Sequence, residues 1–300
     1  MINGVLNIYK EKGFTSHDVV AKLRGITKQK KIGHTGTLDP DAQGVLPVCL
    51  GKATKLCDML TDKDKVYEAV LLLGKSTDTQ DITGTVLEEK SISGLTEEAV
   101  RKCIQAFIGE QEQIPPMYSA LKVNGKKLYE LAREGIEIER KARRITIHDI
   151  EILEVNLPRV RMSVHCSKGT YIRTLCNDIG EKLGCGGCME SLLRTKVSRF
   201  ELSESLRLSE IEELVKSDSL QNVLIPIDQM FSDYRSLIIN PEQERLIYNG
   251  NAFAEKYLEK HQGFTDCERV RVYDTKQQFV GIYRYHADEK RFIIEKMFYQ

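Results

Sequence analysis

Gly33-His34-Thr35-Gly36-Thr37-Leu38-Asp39-Pro40-Asp41-Ala42-Gln43-Gly44-Val45-Leu46-Pro47 packs three glycines and two prolines into fifteen residues. Glycine admits backbone angles closed to other residues and proline removes freedom, so together they hold the chain on an unusual path. Asp39 precedes Pro40 and is thereby kept out of the helical region. The spacing excludes a phosphate loop of the G-x-x-x-x-G-K-S/T type. Residues 33–51 therefore read as a loop. By spacing alone Asp39 has two readings. It caps a turn, the usual work of loop aspartates, or it presents a carboxylate for chemistry.

Outward from this loop the pattern alternates without a βαβ repeat. Gly4 to Tyr9 reads as a short strand. Thr15 or Ser16 then caps a helix with Asp18 in its first turn and Val19, Leu23 and Ile26 on its apolar face. Lys65 to Gly74 reads as a strand with Tyr67, Ala69, Leu71 and Leu73 on one face. Thr96 begins a second helix, with Leu95 and Val100 at staple spacing and Gly109 as its end. Pro115, Pro116 and Gly125 make a long loop of residues 111–127. Val160, Met162, Val164 and Cys166 alternate as a strand, and Ile172, Leu175, Ile179 and Leu183 form a helix closed by Gly184. The mixed order predicts an α+β fold. From about residue 233 the composition turns acidic, and Val270, Val272, Val280, Ile282, Ile293 and Ile294 predict a separate small β domain.

The 300 residues, 41% apolar, can bury a substantial core. No stretch approaches the ~20 apolar residues of a membrane span, and the first residues lack the pattern of a secretory signal. Eight cysteines lie mostly in apolar surroundings, which fits reduced thiols in a cytoplasm better than a disulfide framework. Net charge is zero, but its distribution is uneven. Residues 1–200 hold 31 Lys and Arg against 26 Asp and Glu, and residues 201–300 hold 13 against 18. Lys28, Lys30 and Lys31, then Lys122, Lys126 and Lys127, then Arg140, Lys141, Arg143 and Arg144 form basic clusters. Such clusters are either solvated surface or contacts for a polyanion.

Gly36, Leu38, Asp39, Pro40, Ala42, Gly44 and Leu46 match, position by position, the G-x-L-D-P-x-A-x-G-x-L pattern of the TruB family of pseudouridine synthases. Further segments resemble that family in the same order. Lys65-Val66-Tyr67-Glu68-Ala69 resembles the strand with its active-site tyrosine, and Ile114 to Lys122 the proline-containing segment before its RNA-contacting thumb. Lys168-Gly169-Thr170-Tyr171-Ile172-Arg173 resembles the segment with its active-site arginine, and Leu192-Leu193-Arg194 a pocket-lining strand. The resemblance covers about residues 3–231, and the remainder is similar, more weakly, to a shortened PUA-type RNA-binding domain. Gly187-Cys188 departs from the family, where Ala followed by His or Tyr is common.

The resemblance implies a mixed, mainly antiparallel central sheet flanked by helices and loops, over residues 1–232, with a thumb-like loop at about 117–144 and a PUA-like domain at 233–300. It implies conversion of uridine 55 in the TψC loop of tRNA to pseudouridine, without cofactor, metal or guide RNA, by a cytoplasmic monomer. Asp39 is then the nucleophile or base, and Arg173 its charge partner, expected to lower its pKa. Tyr67 stacks on the base and moves a proton, Tyr171 and Leu193 line the uracil pocket, and His34 fills the space left by the flipped base. Lys30, Lys31, Lys122, Lys126, Lys127 and Arg143 contact RNA. Cys185 and Cys188 have the C-x-x-C spacing of a zinc or redox pair, but no second such pair completes a ligand set, so they read as incidental.

Overall fold

The computed structural model describes residues 1–123, 125–258 and 263–299. Its strands are β1 (Gly4–Lys10), β2 (Ile32–His34), β3 (Gln43–Leu50), β4 (Lys65–Leu73), β5 (Lys75–Thr77), β6 (Val86–Glu89), β7 (Gly109–Gln113), β8 (Lys122–Val123), β9 (Lys126–Lys127), β10 (Arg143–Asn156), β11 (Arg159–Cys166), β12 (Gly187–Val197) and β13 (Phe200–Glu201), followed by a second group of strands from residue 235. The helices that matter for the site are α1 (Ser16–Thr27), α2 (Cys57–Thr61), α3 (Glu97–Gln105), α4 (Leu128–Arg133), α5 (Ile172–Lys182) and α6 (Leu208–Lys216). The main sheet runs β1-β3-β12-β4-β11-β10-β7, with β2 and β13 paired at its margins. Only β12 and β3 run parallel, so the sheet is mixed and mainly antiparallel, as expected.

Burial explains the layers. On β4, Tyr67, Ala69, Leu71 and Leu73 share one face, and they pack on Val100 and Ile104 of α3 and on Ile172, Leu175 and Ile179 of α5. Leu95 joins this core beside Val100. On the β1–β3 side, α1 and α6 cover the sheet with Val19, Val20, Leu23 and Ile211. Thr15 is the cap of α1, and its exchange of hydrogen bonds with Asp18 forms a capping box.

Three readings of the sequence need correction. Residues 33–51 are not one loop. Val45, Leu46, Val48, Cys49 and Leu50 are fully buried, and they form β3 in the interior of the sheet. A strand covered on both faces shows a continuous apolar run rather than alternation, and the flanking glycines and prolines mask it. The irregular path is confined to residues 35–42. Likewise Gly109 opens β7 instead of closing α3, which ends at Gln105. Residues 111–127 are also not all loop, since they include the end of β7 and the small hairpin β8–β9.

From residue 235 a second sheet of five strands forms, with Val270, Val272, Val280, Phe253, Tyr283 and Phe292 in its core. Its other face is not free. Ile282 and Phe298 pack with Phe231 against Val5, Val45 and Cys49 of the main sheet.

Candidate active site

Asp39 sits in the short irregular segment between β2 and β3, and its position is set from several directions. Its own carbonyl accepts a hydrogen bond from Ala42 N at 3.1 Å, closing a turn with Pro40 at the second position. Leu38 beside it is buried in the main core, and its N–H donates to Ser16 Oγ at 2.9 Å. Two buried cations hold the segment from either side. Lys10, at the end of β1, donates from Nζ to the carbonyls of Glu11 and Pro40 at 3.1 and 3.0 Å and to that of Ala42. Arg194, on β12, donates from Nε to Val45 O at 2.7 Å and from Nη1 to Thr37 O at 3.4 Å. Burial pulls Lys10 down to about 8, so it remains protonated near neutrality. Gly44 lets β3 approach β12 closely, because a Cβ there would lie 2.2 Å from the Arg194 carbonyl oxygen.

Among the described residues, the Asp39 side chain makes no hydrogen bond within its own turn. Its hydrogen-bond partner is Arg173, in the first turn of α5. Nε lies 3.1 Å from Oδ2 and Nη2 3.3 Å from Oδ1, a two-pronged pairing. The remaining donors are also engaged. Nη2 donates to Tyr118 O at 2.8 Å, and Nη1 to Thr79 O at 3.1 Å and Asp81 Oδ2 at 3.3 Å. Arg173 thus joins the Asp39 turn, the β5–β6 connection, the segment after β7 and α5. Gln113 locks the start of α5 by accepting from Tyr171 N at 2.8 Å and donating to Tyr171 O at 3.0 Å.

Arg173 is 6% exposed at its side chain, whereas Asp39 keeps 40%. The carboxylate therefore stays partly open to solvent beside a fixed guanidinium. The pKa expectation needs correction. Burial pushes the Asp39 carboxyl above its usual 3.8; Arg173 pulls it down, as expected, but Asp81 adds a second negative charge and the balance lies upward.

Tyr67 is 8% exposed on β4, and burial raises its phenol, which keeps its proton near neutrality. Burial likewise raises Tyr171, which lies close enough to Arg143, Arg173 and Asp39 to feel their charges. His34, on β2, accepts at Nδ1 from Gly36 N at 3.4 Å, and burial lowers its pKa. Leu193 is not where it was expected. It pairs with Glu68, on the face of the sheet opposite Tyr67. Alternation puts its neighbours Leu192 and Arg194 opposite Ala69 and Tyr67, on the pocket side.

The basic residues separate into groups. Arg143 begins β10 beside Tyr171. Lys122, Lys126 and Lys127 make up the β8–β9 hairpin, where Lys126 meets Glu134 at 3.5 Å and Lys127 reaches the Tyr129 hydroxyl at 3.1 Å. Lys30 and Lys31 lie between α1 and β2. Lys31 belongs to a cluster with Lys52, Lys55 and Lys296, so the positive surface crosses onto the acidic C-terminal region. Sequence reasoning missed Asp81, Lys10 and Gln113 as supports of the site. A lysine directly after an apolar strand, and an aspartate in the threonine-rich run Thr77-Asp78-Thr79-Gln80-Asp81, were the available signals. Among the described residues, Cys185 and Cys188 belong to no grouping of three or more metal-type ligands.

A mixed sheet thus presents an aspartate–arginine pair beside a buried tyrosine. The fold is shared with a solved Cbf5-Nop10-Gar1 complex, with a TM-score of 0.73 and 27% identity over 98% of this chain and 84% of that one. The model for the N-terminal domain of the TruB family pseudouridylate synthases matches residues 24–172, and that for the tRNA pseudouridylate synthase B C-terminal domain matches residues 173–232. A tRNA pseudouridine synthase B of Lachnoclostridium phytofermentans is 56% identical, covering 97% of each chain. One of Alkaliphilus oremlandii is 49% identical over 93% of this chain and 92% of that one. The chain belongs to the TruB family of pseudouridylate synthases.

Proposed function

We propose that this chain isomerises uridine 55, in the TψC loop of tRNA, to pseudouridine. The C1′–N1 bond breaks, the base turns over, a C1′–C5 bond forms, and the proton lost from C5 is balanced by one gained at N1. No electron or group is exchanged, so no cofactor is required. The observation that carries this reading is the two-pronged Asp39–Arg173 pair at 3.1 and 3.3 Å, with the carboxylate partly open to solvent. Asp39 acts ionised, as nucleophile or base, and Arg173 orients it. Tyr67 stacks on the base and serves proton transfer. Tyr171 and Leu192 line the uracil pocket, and His34 stacks where the base has left. Unstacking costs a few kcal/mol and is offset by contacts to the RNA backbone. Residues 117–144 act as a thumb on the RNA, with Lys122, Lys126, Lys127 and Arg143, while Lys30 and Lys31 contact phosphates. Residues 233–300 form a reduced PUA-like RNA-binding domain.

The enzyme works as a monomer in the cytoplasm, without guide RNA. The likeness to a Cbf5 complex raises the alternative of a guide-dependent enzyme, but identity is 27% there and 56% to a tRNA pseudouridine synthase B. The test is base-resolved pseudouridine detection on a TψC stem-loop, a uridine-to-cytidine version of it and whole tRNA. Conversion at one uridine of the first and third by the protein alone supports the reading, as does loss of conversion in Asp39→Asn with tRNA binding retained. A need for added guide RNA, or turnover by Asp39→Asn near the wild-type rate, sinks it.

A further inference from the structure

On the face of the main sheet turned away from Tyr67, three metal-type side chains converge. Asp64 immediately precedes β4, His148 lies on β10 and His165 on β11, and one ligand atom from each falls within 4.8 Å of the others. Three elements build the cluster. The β10–β11 register slips between Ile147 and Asp149, so His148 is the extra residue of a β-bulge. A bulge re-aims its side chain, and here it brings His148 alongside His165, with ring centroids 4.7 Å apart and planes at 47°. Across the next strand pair, His165 stands opposite Val66, two residues beyond Asp64. The Asp64 carboxylate reaches His148 Nε2 at 3.4 Å. An ion pair alone leaves His165 unexplained.

We infer that Asp64, His148 and His165 form a surface site for a divalent transition-metal ion of the zinc class. Two imidazoles and a carboxylate suit zinc, cobalt, nickel or copper, whereas magnesium and calcium take oxygen ligands. Three protein ligands leave at least one coordination position open to water or an anion, as in open zinc sites. Zinc–ligand distances are about 2.0–2.2 Å, so side-chain rotation must close the cluster slightly. The ligands are accessible, with 35% of the His148 side chain and 52% of the Asp64 side chain exposed. Among the described residues, neither imidazole has another hydrogen-bond partner that would commit its nitrogens. The ion would tie together β10, β11 and the start of β4, on the far side of the strand that carries Tyr67.

The test titrates the whole protein with Co2+, reading the visible absorption of the bound ion, then displaces it with Zn2+ under calorimetry. The expected result is one equivalent with a nitrogen and oxygen spectrum and no thiolate charge-transfer band. His148→Ala and His165→Ala should each weaken Co2+ binding at least about tenfold, since loss of a ligand exceeds the 10–100-fold effect typical of its supporting groups. Asp64→Asn should weaken it less. Pseudouridine formation in metal-free buffer, unchanged in all three variants, confirms that they fold. Absence of binding in the micromolar range, binding unaffected by the histidine variants, or a thiolate band that places the ion on cysteines would each overturn the inference.

Discussion

Arg173 occupies a position where geometry matters more than charge. Its planar head meets both oxygens of Asp39, and its other donors reach Asp81 and two carbonyls. A lysine carries the same charge on a single nitrogen and cannot span these partners. Arg173→Lys should therefore lower the single-turnover rate at saturating RNA at least about tenfold, about 1.4 kcal/mol of barrier. A loss under about threefold would refute the orienting role. The raised Asp39 carboxyl predicts a pH effect as well. If Asp39 acts ionised, as proposed, kcat/KM should climb as pH rises through a value above the ordinary 3.8 and level off once the group is ionised. Rates on the tRNA arm between pH 4 and 7 test this, and a flat profile across that range would contradict it. Asp39, Tyr67 and Arg173 are singled out through the segments that resemble the TruB family, whereas by spacing alone Asp39 reads equally as a turn cap. Asp81 is not singled out. Among threonines an aspartate reads as a turn, and its guanidinium partner is 92 residues away in the chain.

Among the elements, the junction of β3 with β12 carries the most weight for the site. Gly44 has φ +105 and no room for a methyl group. Gly44→Ala should strain the backbone by about 1–3 kcal/mol and also push the strands apart, lowering Tm and activity together. Gly94→Ala, at a similar positive φ but with nothing within 4 Å, is the control and should lose only the backbone component. Equal losses in thermal unfolding would show that the strand approach is irrelevant. Lys10→Met removes the donor that serves three carbonyls, two of them in the Asp39 turn. An unpaired buried acceptor costs about 1–3 kcal/mol, so this variant should unfold at lower denaturant and turn over slowly even while folded. Wild-type kcat in the folded variant would argue against the tether. These elements also show why sequence reading reached β1, β4, β11, α1 and α5 but not β3. β4, β11, α1 and α5 carry clean periods of two or 3.6, and β1 is a short apolar run free of internal Gly and Pro, while β3 is covered on both faces and punctuated by Gly44 and Pro47. Its pairing with β1, β2 and β12, supplied by tertiary structure, distinguishes it from a loop.

At the scale of the whole molecule, zero net charge conceals a basic surface that crosses between the two sheets. Lys31, Lys52 and Lys296 all lie close enough to Lys55 for it to feel their charges, and Lys55 Nζ donates to Met297 O at 2.8 Å. Reversing Lys31 and Lys52 to Glu should weaken tRNA binding and make the plot of log affinity against log salt shallower by about one or more units. An unchanged slope would remove this patch from the RNA interface. The same region bears on how far the chain can be taken apart. On the strand Phe279–His286, Ile282 packs against the main sheet while the adjacent Tyr283 fills the core of its own sheet. Neighbouring positions thus answer to different halves of the molecule. The tail cannot be swapped as a cassette with that of a relative unless the donor also brings a matching surface for Val5, Val45 and Phe231. Recombination within such a lineage should favour crossovers that move strand and seat together, and chimaeras joined between them should pay with a destabilised catalytic half.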